Sequence, residues 1–155
     1  MPVQSRQFTL ATRADSRRLG AGIARVLQPG DLVILEGGLG AGKTFLVQAT
    51  LRAAGVKARV NSPTFVLAQE YDTPKGSFVH ADLYRLLDRG VGVDVEVARL
   101  GLYERRCEGA IVVVEWGTSA IAALGGDPSL VVSLSIAGPT ARAVTLSGPR
   151  AGDIL

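Results

Sequence analysis

Leu32-Val33-Ile34-Leu35-Glu36-Gly37-Gly38-Leu39-Gly40-Ala41-Gly42-Lys43-Thr44 holds a complete strand-to-helix transition. Leu32 to Leu35 is a short continuous apolar run, the pattern of a strand covered on both faces in a parallel sheet. Gly37 to Thr44 fits G-x-x-x-x-G-K-[ST] in full. A helix is predicted over Lys43 to Ala54, closed by Gly55. Strand, glycine loop and helix in that order make a phosphate cradle. Glycines let the backbone curl until successive N–H groups face an anion, and the helix start adds its positive dipole end. Only three of the 17 basic residues are lysine, and one of them stands at the motif's key position. A chain of this composition shows the pattern by chance at a frequency of roughly 0.005. Gly38, Leu39, Gly40, Ala41, Gly42, Lys43 and Thr44 are therefore expected to bind a nucleotide. Lys43 should reach the β- and γ-phosphates and the Thr44 hydroxyl should ligate Mg²⁺. Asn61 is the only asparagine and no N-K-x-D guanine motif follows it, which favours ATP over GTP.

Such a site needs a carboxylate at the end of a neighbouring strand. Ile111-Val112-Val113-Val114-Glu115 is an apolar run ending in one, so Glu115 is a metal-ligand and catalytic candidate. Asp82, in His80-Ala81-Asp82-Leu83-Tyr84-Arg85, is the second. On a strand it shares a face with Phe78 and His80, where it could bind Mg²⁺ through water or orient the attacking water. His80 is read as a hydrogen-bonded residue that positions Asp82. Thr64, in Ser62-Pro63-Thr64-Phe65, belongs to a segment of the kind that senses a γ-phosphate. Trp116 is read as core, partner contact or a plate beside the nucleotide.

The rest of the chain bounds the class. Its 155 residues suit one domain over positions 1–155. A hydrophobic share of 47% with 20% charged residues is ordinary for a globular protein. The net charge of +3 permits contact with tRNA or an acidic partner without arguing for either. Cys107 is the single cysteine, which excludes an internal disulfide and a cysteine zinc cluster. No apolar run is long enough to span a membrane, and a cytoplasmic location is the default. Phe8 to Ala11 reads as a strand, followed by a helix over Ala14 to Leu27 capped by Thr12 or Asp15. Phe65 to Tyr71 and Ser77 to Leu83 read as an antiparallel pair. Leu86 to Glu96 reads as a loop, Val97 to Arg106 as a helix, and Leu130 to Ile136 with Arg142 to Leu146 as a hairpin at a sheet edge. The expected fold class is α/β, a P-loop NTPase-like three-layer sandwich with a mixed sheet, its parallel core carrying antiparallel edge strands.

Gly38 to Thr44, Ser62 to Phe65, His80 to Arg85 and Val114-Glu115-Trp116, in that order, resemble the TsaE family, also called YjeE, over about Leu10 to Arg142. The resemblance implies a bacterial ATPase needed for threonylcarbamoyl modification of adenosine 37 in tRNAs that read codons beginning with A. It implies action on a complex of TsaD with TsaB, without transfer of the group by the protein itself, and involvement of tRNA indirectly or through that complex. Carried over by position, Gly40 to Thr44 bind phosphates, Thr44 and Glu115 hold Mg²⁺, Asp82 serves hydrolysis, and Trp116 lies beside the site. Thr12 falls near the segment that approaches adenine, and Arg142 near a basic position in the last hairpin. Family members usually carry Asp where this chain has Gly38. Two other functions compete on the residues alone: a small-molecule kinase on the same fold, and a nucleotide-dependent switch without useful hydrolysis. The stretch from Gly117 to Pro128 contains no arginine for a kinase-type lid.

Overall fold

The computed structural model describes residues 5–60, 67–88 and 92–154. Among the described residues, seven strands form one sheet: β1 (Ser5–Leu10), β2 (Leu32–Glu36), β3 (Ala68–Thr73), β4 (Gly76–Asp82), β5 (Ile111–Glu115), β6 (Leu130–Ile136) and β7 (Arg142–Ser147). Their spatial order is β1-β7-β6-β2-β5-β4-β3. The pairs β6–β2, β2–β5 and β5–β4 are parallel, and β1–β7, β7–β6 and β4–β3 are antiparallel.

Helices cover both faces. One face carries α1 (Arg13–Val26) and α2 (Lys43–Ala54), with Leu19, Ile23, Leu46, Val47 and Leu51 packed on Val33, Leu35 and Val113. The other carries α3 (Tyr84–Asp88), α4 (Val93–Leu100) and α5 (Leu102–Cys107), with Leu86, Val97 and Leu102 packed near Ile34, Val112 and Val114. Alternate residues of the continuous apolar strands thus enter opposite cores, as a parallel sheet with both faces covered requires. The result is the expected P-loop NTPase-like three-layer sandwich with a mixed sheet. Among the described residues, no helix is long and apolar enough to cross a membrane.

Local chemistry fixes the element ends. The two cap candidates of α1 act together: Asp15 N–H donates to Thr12 Oγ1 at 3.3 Å and Thr12 N–H to Asp15 Oδ2 at 3.1 Å, a reciprocal capping box. At the other end Lys75 Nζ donates to the carbonyls of Ala24, Arg25 and Leu27. That places a cation on three orphan acceptors at the negative end of the helix dipole.

Three expectations are corrected. Residues read as a loop from Leu86 to Glu96 include most of α3 and the start of α4. The predicted helix over Val97 to Arg106 is broken at Gly101, whose left-handed conformation ends α4 and begins α5. Helices of five to eight residues are too short to display an apolar period. The β6–β7 hairpin is not at an edge, because β1 covers β7 and β6 pairs with β2. The edges are β1 and β3. The strand start predicted at Phe65 lies outside the described residues.

Gly20 sits where α1 crosses α2. A Cβ there would lie 2.7 Å from Ala49 Cβ and 2.9 Å from the backbone nitrogen of Thr50. In an isolated helix Gly20→Ala would gain about 1 kcal/mol of propensity. Here backbone must shift, and overpacking of this kind costs roughly 1–3 kcal/mol. Gly20→Ala is expected to lower the urea midpoint of unfolding; an unchanged or raised midpoint would show that the two helices separate freely.

Candidate functional site

The parallel register delivers three chain segments to one edge. Asp82 pairs with Glu115 across β4–β5, and Leu35 pairs with Glu115 across β5–β2, so both carboxylates end their strands beside the glycine loop that leaves β2. β7 runs the other way, which brings its first residue to the same edge: Arg142 pairs with Ile136 at the end of β6 and with Leu10 at the end of β1.

Glycine is needed at the loop's entry. Gly37 has φ 146°, and a Cβ there would lie 2.5 Å from the Leu134 carbonyl oxygen. Gly42 enters α2 at φ 102° with no side-chain cap, leaving the first N–H groups of α2 at the mouth of the loop. Two cations engage the loop carbonyls. Lys43 Nζ donates to Gly37 O and, at 3.2 Å, to Gly38 O. Arg142 donates through Nε to Ala41 O at 3.1 Å and through its terminal nitrogen to Gly40 O at 3.5 Å. With those carbonyls engaged, the polarity left for an anion is that of N–H groups.

Clefts lie on two sides of this loop. One, of about 340 Å³, is bordered by Gly38 to Phe45 with Asp82, Glu115 and Trp116. The other, of about 500 Å³, is bordered by Thr12, Arg13, Pro139, Thr140 and Arg142 with Ala41 and Gly42. Every described candidate from the sequence therefore stands at one of two openings, whose walls share Ala41, Gly42 and Phe45. Thr64 lies outside the described residues. A Cβ at Gly38 would meet nothing within 4 Å, so the loop has room for the carboxylate that this chain lacks there.

The first cleft carries the titratable groups. Glu115 is 2% exposed. Thr44 Oγ1 lies 3.1 Å and 3.3 Å from its two oxygens, and His80 Nε2 lies 2.6 Å from Oε2. His80 thus partners Glu115, where the sequence reading pairs it with Asp82. Asp82 Oδ1 accepts from Tyr84 N–H at 3.0 Å. Burial pushes its carboxyl above the usual aspartate range, with the Glu115 charge adding to the rise and the Tyr84 N–H, His80 and Lys43 opposing it. Lys43 is pulled below the usual lysine range by burial, against the attraction of Glu115 and Asp82. Its ammonium rests 3.9 Å from the centroid of the Trp116 ring. Trp116 holds φ 61°, unusual for a bulky residue, and tilts against Tyr84 with ring centroids 5.0 Å apart.

Thr44 and the two carboxylates are hard oxygen donors, the type Mg²⁺ selects. Among the described residues, no group of three or more His, Cys, Asp or Glu could hold a metal by itself. The donor set therefore fits an ion that arrives with phosphates and keeps waters. The sequence reading missed Glu36. Ending β2 directly before the loop, it accepts from Thr118 Oγ1 and Ser133 Oγ, both at 2.8 Å. Its position after an apolar run was the available signal.

Comparison with known proteins agrees with this geometry. A family model described as "Threonylcarbamoyl adenosine biosynthesis protein TsaE" matches residues 10–144. The chain is 37% identical over 142 residues to the tRNA threonylcarbamoyladenosine biosynthesis protein TsaE of Streptomyces coelicolor, covering 85% of this chain and 89% of that protein. It is 42% identical over 116 residues to the protein of the same name from Mycobacterium bovis, covering 70% and 67%. The crystal structure of Bacillus subtilus YdiB superposes with a TM-score of 0.74 at 25% identity, covering 98% of this chain and 92% of that one.

Asp82 generates a prediction about pH. Its carboxyl is raised in the folded state, so ionisation weakens folding: stability is highest below the ordinary value of 3.8 and falls as pH rises through the raised one. At pH 7, above the ordinary value, this cost is present. Asp82→Asn keeps an acceptor for Tyr84 N–H and removes the charge. The variant should melt at a higher temperature than the parent at pH 7, with the gap closing towards pH 3.5; a lower melting temperature at pH 7 would contradict the assignment.

Proposed function

The chain belongs to the TsaE family, and from that membership we propose that it binds ATP with Mg²⁺ and hydrolyses it in support of threonylcarbamoyl modification of adenosine 37 in tRNA. In this reading it acts on a complex of TsaB and TsaD, does not transfer the group itself, and serves tRNA indirectly or through that complex. The observation that carries the reading is the convergence of Lys43, Thr44, Glu115 and Asp82 on one cleft beside the glycine loop.

The loop from Gly38 to Thr44 holds the phosphates by backbone N–H groups and the start of α2. Lys43 exchanges the carbonyls of Gly37 and Gly38 for phosphate oxygens. It is already desolvated, so little hydration is lost when it meets the anion. Thr44 and Glu115 hold Mg²⁺, which when bound neutralises charge developing on the phosphates. Asp82 accepts a hydrogen bond from the attacking water and orients it; its raised proton affinity suits a general base. Arg142 holds the loop's outer carbonyls, and the cleft between Thr12 and Arg142 receives the nucleoside. Trp116 backs the Lys43 ammonium, which makes the chain's single tryptophan a reporter of nucleotide binding.

Titration with ATP and Mg²⁺ should change Trp116 fluorescence in the parent protein, and Lys43→Ala should abolish the change. Asp82→Asn should still bind ATP while hydrolysis falls about 10²-fold or more. Addition of TsaB and TsaD should alter the parent's turnover rate. Hydrolysis that survives Asp82→Asn, or that ignores the two partners, would defeat this reading; transfer of the γ-phosphate to a metabolite would replace it with a kinase.

A further inference from the structure

Among the described residues, His80 is the one buried polar side chain at the site that no step above uses. It lies on β4 between Phe78 and Asp82 and has no exposed surface. A carboxylate oxygen only accepts, so Nε2 carries a hydrogen and donates it to Glu115 Oε2 over 2.6 Å. Among the described residues, the other ring nitrogen, Nδ1, is buried without a hydrogen-bond partner. An apolar side chain of similar volume would spare the core this unpaired atom. Packing therefore does not explain a histidine here; its donor to Glu115 does.

The donor matters because Glu115 has a competing partner. Lys43 lies close enough for the two charges to act on each other. Both side chains are buried, where such an attraction is weakly screened. A Glu115 carboxylate free to turn would pair with Lys43, withdrawing one group from the metal and the other from the phosphates. We infer that His80 is a positioning residue: its Nε2–H holds Glu115 towards the Thr44 hydroxyl and away from Lys43, and so sets the affinity of the nucleotide site for Mg²⁺. The inference rests on the ATP reading above and adds to it the group that keeps the metal-binding carboxylate in place. Partners of this kind, one bond removed from a ligand, commonly alter metal affinity 10- to 100-fold when lost.

The test compares the parent with His80→Leu, which removes the donor, and His80→Gln, whose amide nitrogen extends about as far as Nε2. Trp116 fluorescence gives the Mg²⁺ concentration for half-maximal response at saturating ATP, and the ratio of ATP affinities with Mg²⁺ and with EDTA. For His80→Leu the half-saturating Mg²⁺ should rise roughly 10- to 100-fold and the affinity ratio should fall. His80→Gln should recover most of the loss. Thermal melting identifies variants that fail to fold; if His80→Leu does, His80→Asn takes its place, being polar but too short to reach Glu115. Parent-like Mg²⁺ dependence in a folded His80→Leu or His80→Asn protein would overturn the inference, as would His80→Gln behaving no better than either. A parent protein that shows no ATP response at all would instead overturn the nucleotide reading on which the inference stands.

Discussion

Parallel pairing in register is the constraint on which the site depends. β4, β5 and β2 end together, so Asp82, Glu115 and the glycine loop emerge side by side although they are far apart in the chain. The loop from Gly37 to Thr44 contains no carboxylate of its own, so both come from other strands. The antiparallel β6–β7 hairpin adds the complement: a strand running the opposite way begins where its neighbours end, which is why Arg142 reaches the loop from the other side.

Charge placement at this edge favours function over stability. Lys43, Glu115 and His80 are buried together, and each would be better hydrated outside. The fold retains them by satisfying most of their hydrogen bonds: Lys43 on loop carbonyls, Glu115 on Thr44 and His80. What remains unsatisfied is instructive. The raised carboxyl of Asp82 and the Nδ1 of His80, which has no partner among the described residues, lie two residues apart on β4. At the opposite end of the sheet the balance is structural: Asp31 binds Arg150, Ser129 and Gln28 N–H and ties the chain's last turn to the start of β2.

Much of the architecture was legible because its signals are local. A continuous apolar run reads as a buried parallel strand, and a glycine between strand and helix reads as a cradle, whatever lies elsewhere in the chain. α2 is found at the predicted bounds because a lysine start and a glycine cap mark both ends. The three helices between Tyr84 and Cys107 were less legible, since each buries only one described residue (Leu86, Val97 and Leu102) and one apolar position defines no period.

The sequence by itself determined the strand–loop–helix unit and the two strands that carry Asp82 and Glu115, because each rests on backbone conformation and periodicity within a few residues; the resemblance to the TsaE family rested instead on the order of four motifs along the chain. Only tertiary structure decided partners. Which carboxylate His80 holds depends on strand register and side-chain reach, and the sequence placed it on Asp82 when it serves Glu115. That Arg142 braces the loop, and that Trp116 supports the Lys43 ammonium, depends on strand order and on a left-handed turn at the end of β5. These are long-range facts of packing, and no local pattern encodes them.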